Sequence, residues 1–242
     1  MKNCFLLVIT IFLTYALNAQ ITDPKATEVW EPEPRVVTPG EGTAPPSDAI
    51  ILFDGTSFDN WTTPDGKPVG WKLEEGAMTV VAGTGGIQTK ETFMDVQLHL
   101  EWRAPAVIEG EGQGRGNSGV FLQGIYEVQV LDSYQNRTYS NGQAGSIYKQ
   151  YMPLVNACRP PGEWQTYDII YTAPRFNADG IKVSSGRITV IHNGVLIQND
   201  VEIKGTTPYI GLPQNPAHGE GPLFLHYHSN PVSCRNICMR KL

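Results

Sequence analysis

The chain has 242 residues, 40% hydrophobic and 17% charged, with 25 Gly, 18 Pro and a formal net charge of −6. That composition describes a turn-rich globular protein and excludes a coiled coil or a disordered tail. With no basic stripe, it also speaks against nucleic acid as a partner.

The first segment reads as an export signal. Lys2 supplies the positive charge, residues 5–13 an apolar run too short to span a bilayer, and Ala16 to Ala19 the small residues before cleavage. A chain cut after Ala19 would begin at Gln20 in the periplasm or outside the cell, with no membrane span. An uncleaved anchor is the alternative, and no cysteine follows the run to carry a lipid. Residues 20–47 then hold six prolines (Pro24, Pro32, Pro34, Pro39, Pro45 and Pro46), a density that favours extended chain. Val29, Trp30, Val36 and Val37 offer docking points along this leader.

From residue 48 to 242 the pattern is all-β and reads as one domain. Predicted strands cover 50–53, 71–74, 77–81, 96–103, 119–122, 126–131, 164–171, 187–192, 195–201, 223–228 and 234–241. Turn pairs separate them, among them Glu75-Gly76, Gln123-Gly124 and Asn193-Gly194, the last a strong type I′ hairpin signal. Many short strands with regular turns predict a two-sheet antiparallel sandwich.

Three of these strands carry polar groups on one face. His99, Glu101 and Arg103 alternate against Leu98, Leu100 and Trp102, so Trp102 is assigned to the core. Glu127 and Gln129 alternate against Tyr126, Val128 and Val130. His226 and His228 share a face with Phe224. A carboxylate beside an amide on a rigid surface suits sugar hydroxyls. Tyr134 and Tyr139 are placed in a groove wall, and Asp132 is read as a loop cap. Outside the signal the cysteines are Cys158, Cys234 and Cys238. Cys234 and Cys238 are four apart in a predicted strand, which puts them on one face roughly 13 Å apart, too far to bridge.

The runs Ile51-Leu-Phe-Asp-Gly-Thr-Ser-Phe-Asp-Asn-Trp61, Gly116-Asn-Ser-Gly-Val-Phe-Leu122, Tyr126-Glu-Val-Gln-Val-Leu-Asp132, Pro161-Gly-Glu-Trp164 and the ending around His228, Pro231 and Arg235-Asn-Ile237 occur in an order that resembles the DUF1080, or 3-keto-disaccharide hydrolase, family. The chain departs from that pattern at His226 and at Ser229-Asn230. The resemblance implies a concanavalin A-like jelly roll of the lectin and glucanase type, and a secreted enzyme that cleaves 3-keto glycosides. In such a fold Glu101, Arg103, Glu127, Gln129 and His228 would line the groove. Asn117 and Ser118 would open the strand leading in, and Lys149 would close one end. Candidate catalytic groups are therefore Glu127, His228 and Glu101; Arg103, Gln129, Asn117, Ser118 and Lys149 are candidate substrate-binding groups.

A retaining glycosidase needs two carboxyl groups about 5–5.5 Å apart. Gln129 cannot be the partner of Glu127, and Glu101 could be only if its strand neighbours 126–131. A 3-keto sugar asks for less, because its ketone acidifies the C2 proton. One base, one stabiliser of the enolate and one acid for the leaving oxygen suffice. Glu127 or His228 would be the base, and Arg103 or a divalent metal ion would polarise the ketone. No other cofactor is implied. His226-Tyr-His228 has the spacing to aim two imidazoles at such an ion, but His226 is read as packing in the sandwich wall. The alternative function is a non-catalytic carbohydrate-binding module on the same sandwich. The sequence says nothing of oligomeric state.

Overall fold

The computed structural model describes residues 22–242; the expected signal lies outside them. The chain divides into two compact units, the first ending at Val36 and the second running from Val37 to Leu242. In the first, a single 3₁₀ turn, Pro24–Thr27, is capped by the Asp23 side chain, which accepts from the Lys25 N–H at 3.0 Å. The residues after it carry no regular structure, as proline at this density dictates.

The second unit holds fifteen strands: β1 Ile50–Phe53, β2 Trp61–Thr62, β3 Lys72–Glu74, β4 Ala77–Thr79, β5 Ile87–Phe93, β6 Val96–Arg103, β7 Ser118–Leu122, β8 Tyr126–Val130, β9 Gln165–Thr172, β10 Arg175–Phe176, β11 Lys182–Ser184, β12 Arg187–His192, β13 Val195–Glu202, β14 Gly221–Leu225 and β15 Ser233–Lys241. Two antiparallel sheets form the sandwich. The larger runs β13-β12-β9-β6-β15-β4-β3, with β1 also on β15; the smaller runs β2-β5-β14-β7-β8. This is the all-β jelly-roll sandwich expected from the sequence. Among the described residues the helical turns are three short 3₁₀ segments.

Both sheets bury one face. Leu98, Leu100 and Trp102 of β6 and Tyr167, Ile169 and Tyr171 of β9 meet Val120, Leu122, Tyr126, Val128 and Val130 from the smaller sheet in one core. The β7–β8 hairpin turns at Gln123-Gly124, both at positive φ (52° and 69°), as a type I′ turn requires. Asn193-Gly194, at 52° and 79°, does the same between β12 and β13.

The structure corrects three expectations. The strand placed at 223–228 ends at Leu225, so His226 and His228 lie on the chain leaving it. Glu101 pairs with Arg235 across the β6–β15 ladder, and β6 lies between β9 and β15 in the larger sheet, so β6 does not neighbour β8. Cys234 and Cys238 do not share a face. A bulge in β15 sets Cys234 opposite the core residue Trp102 and Cys238 opposite the outward His99. Cys158, Cys234 and Cys238 are all free thiols.

Candidate active site

On the outer face of the smaller sheet, β7 presents Gly119 and Phe121, with Asn117 just before the strand, and β8 presents Glu127 and Gln129. A cavity of about 160 Å³ opens there, lined also by Tyr148, Thr207, Tyr209, His226 and His228. Strand β8 is the last of its sheet, yet all five of its residues are buried. The chain at 145–148 closes its free edge: the Gly145 and Tyr148 N–H groups donate to the Gln129 and Glu127 carbonyls, and the Gln129 N–H donates to the Ser146 carbonyl (2.8–3.1 Å). Thr207 adds a clamp, its hydroxyl accepting from the Glu127 N–H at 3.1 Å and donating to the Ile125 carbonyl at 3.0 Å.

Glu127 is the one carboxylate among the residues lining the cavity. It occupies space that only glycine leaves on β7, since a Cβ on Gly119 would fall 2.2 Å from Glu127 Oε1. Burial pushes the Glu127 carboxyl up to about 8. The Gln129 amide lies 3.0 Å from Glu127 Oε1, with Gln113 at 2.9 Å on its other side. That amide serves either state of the carboxyl, donating from nitrogen when Glu127 is ionised and accepting on oxygen when it is protonated.

His226 Nδ1 is buried, lies 4.0 Å from Glu127 Oε1 and makes no hydrogen bond. Its backbone is fixed by two bonds: its N–H donates to the Gly119 carbonyl (2.8 Å), and its carbonyl accepts from Ser118 Oγ (2.7 Å). Burial, with the His228 imidazole beside it, holds His226 below the ordinary histidine value. His226 packs in the wall as expected, against Phe121, Phe224 and His228. It leans edge-on against Phe121, and its ring also lines the cavity. Tyr148 brings a phenol into the wall, its hydroxyl 2.7 Å from that of Tyr139. Burial and that hydrogen bond raise Tyr148 above the usual phenol range.

The structure thus brings Glu127, Gln129, Asn117 and His228 together. Lys149 stands beside them. It sits at a φ of +58° that only a held backbone adopts, its N–H donating to the Asn141 carbonyl at 2.8 Å. Its ammonium donates to the Tyr209 carbonyl and lies 4.4 Å from that ring. Ser118 faces the core side of β7 and is used on the His226 carbonyl. Glu101 and Arg103 do not reach the cavity. On the outer face of the larger sheet Glu101 accepts from Arg235 (2.7 Å) and Asn236 (3.1 Å), and Arg103 stacks on Trp164 at 4.6 Å. The alternation on β6 was read correctly, but the polar face belongs to the wrong sheet. Asp132 caps its loop as expected, accepting from the Tyr134 N–H (3.1 Å), and also pairs with Arg115 at 2.6 Å. Sequence reasoning missed Tyr148, Thr207 and Tyr209, which lie in irregular chain where periodicity carries no signal. Among the described residues no group of three or more His, Cys, Asp or Glu side chains is placed to hold a metal ion.

The jelly-roll sandwich with a small polar cavity on its outer sheet face supplies the framework, and its relatives give the class, glycosidase-like and carbohydrate-active. The chain belongs to the family of 3-keto-alpha-glucoside-1,2-lyase-like domains, whose model matches residues 48–240. A crystal structure from Parabacteroides distasonis ATCC 8503, provisionally described as a glycosyl hydrolase, is 52% identical. It covers 91% of this chain and 97% of its own, with a TM-score of 0.88. Two further structures from that organism, described in the same way, are 21% and 20% identical with TM-scores of 0.58 and 0.55. They cover 81% and 80% of this chain and 94% and 99% of their own, and they share the fold. No protein of curated function matches the chain.

Proposed function

We propose that this protein cleaves 3-keto glycosides by elimination across C1 and C2. The observation that carries the reading is a cavity with one buried carboxylate beside a free imidazole. Double displacement needs a second carboxyl group about 5–5.5 Å away. Position 129 holds an amide, and Glu101 lies in the other sheet.

The environments divide the two roles. Near neutral pH Glu127 holds its proton and His226 lacks one, the reverse of an ordinary ion pair. The His226 imidazole takes the proton from C2 on its accessible side, and the electron pair moves onto the C3 ketone as an enolate. The enolate collapses to a C1–C2 double bond and expels the C1 oxygen, which takes the Glu127 proton and leaves as an alcohol. The proton gained by His226 returns to Glu127 across the 4.0 Å between them or through one water, restoring both groups. The Tyr148 hydroxyl, backed by Tyr139, is the donor for the enolate oxygen. Lys149 and Asn117 orient the ring. Hydration of the double bond completes net hydrolysis.

Incubating the protein with a 3-keto disaccharide and with its unoxidised parent tests the reading. Only the keto sugar should release product, because without the ketone the C2 proton is too weakly acidic for a side-chain base. Equal turnover of the parent would refute elimination, and binding without turnover would favour a carbohydrate-binding module. We also propose that the protein is exported. Material from its native host should begin at or near Gln20, and a mature chain retaining Met1 would reverse that assignment.

A further inference from the structure

The loop 206–214 joins the cavity to the exposed surface. Its base is closed by the Thr206 N–H donating to the Gln214 carbonyl (2.8 Å) and the Gln214 N–H donating to Thr206 Oγ1 (3.0 Å). Gln150 Nε2 holds the carbonyls of Gly205 and Thr206, Thr207 is bonded to β8, and Lys149 grips the Tyr209 carbonyl. A loop tied at so many points holds its tip in place. That tip is apolar: Tyr209, Ile210 and Leu212 are 72%, 83% and 79% exposed. Residues 205–217 contain no charged side chain. Fixed, uncharged and exposed apolar surface of this kind marks a binding region.

Tyr209 belongs to both places, lining the cavity and opening the apolar tip. The cavity, about 160 Å³, is well below the roughly 300–1,000 Å³ of pockets that enclose a whole drug-sized ligand. It takes one sugar ring, and the group on the C1 oxygen must lie outside, against the rim.

We propose that Tyr209, Ile210 and Leu212 form an aglycone subsite, and that the preferred substrates are 3-keto glycosides of apolar, ring-bearing alcohols rather than disaccharides. The inference rests on the elimination reading for its chemistry, but its geometry concerns binding alone.

Benzyl and methyl α-glucosides test it, because the two alcohols are of similar acidity and differ in apolar surface. Calorimetry with the unoxidised, inert glucosides should show benzyl bound about tenfold more tightly or better, and kcat/KM for the 3-keto forms should show the same order. The double variant I210S/L212S, changed only at exposed positions, should bring the benzyl-to-methyl ratio close to one with its melting temperature unaltered. Equal affinity for the two glucosides in the native protein, or a ratio untouched by the double variant, would overturn the subsite. So would concentration-dependent self-association lost in the variant together with a ratio near one, since the tip would then serve a second copy of the chain. Failure of the elimination reading appears separately, as absence of turnover on either keto glycoside while the affinity difference persists.

Discussion

At the scale of single residues the site depends on a carboxyl group kept neutral and on the space it occupies. Glu127→Gln keeps the shape and removes the transferable proton; kcat should fall about 10²-fold or more, measured on a keto glycoside. The same variant has a stability signature. The unfolded chain ionises Glu127 above its ordinary value near 4.5, whereas burial keeps the proton on the folded chain up to about 8. Between those values the unfolded state binds fewer protons, so native stability falls as pH rises, by at most about 1.4 kcal/mol per pH unit. Melting curves from pH 5 to 8 should therefore show the variant gaining on the native protein. A constant difference would place the Glu127 proton elsewhere. Gly119→Ala makes the complementary test: a Cβ 2.2 Å from Glu127 Oε1 must displace the carboxyl. We expect a loss of about 1–3 kcal/mol in stability and a fall in kcat exceeding that in substrate affinity. Glu127 was legible in the sequence because strict alternation sets it against three apolar neighbours. Nothing in the chain around Tyr148 has a period, and only folding brings that phenol to the cavity.

At the scale of elements, alternation reveals which residues share a face but not which sheet the face belongs to. Strand β6 shows this: His99, Glu101 and Arg103 align as expected, yet β6 lies between β9 and β15. Burial works against the Glu101 charge, but hydrogen bonds from Asn236 and Arg235 outweigh it and hold the carboxyl below its usual range. Glu101→Gln should leave turnover within about twofold while lowering stability by about 1–3 kcal/mol in urea titration. A large loss of kcat would bring Glu101 back into the chemistry. Strand β5 escaped notice because Lys90 and Glu91 are exposed and break its apolar rhythm. The bulge in β15 was equally hidden, since one extra residue reverses the parity on which face assignments rest.

At the scale of the molecule, the two-sheet plan was readable from turn signals and strand spacing, because hairpin chemistry is local, whereas strand order depends on contacts between distant segments. A buried histidine contributes to the acid tolerance of the fold. Burial, with Arg159 nearby, holds His192 down at about 4. From pH 6.5 towards 4 the unfolded chain takes up a proton that the folded chain refuses, so stability drops as pH falls. His192→Gln should flatten that acid-side slope by about 1.4 kcal/mol per pH unit, read from melting temperatures across the same range. The closure of the last strand of the smaller sheet by the chain at 145–148 reaches further than the site it shapes. The sandwich presents β8 to a covering segment that lies outside the sheets proper but sends Ile147 into the core and Tyr148 into the cavity wall, so the cover is seated as firmly as a strand. Selection, or an engineer, can thus retune which glycosides are accepted by rewriting the neighbouring chain at 206–214, while the strand carrying the acid and its cover stay as they are.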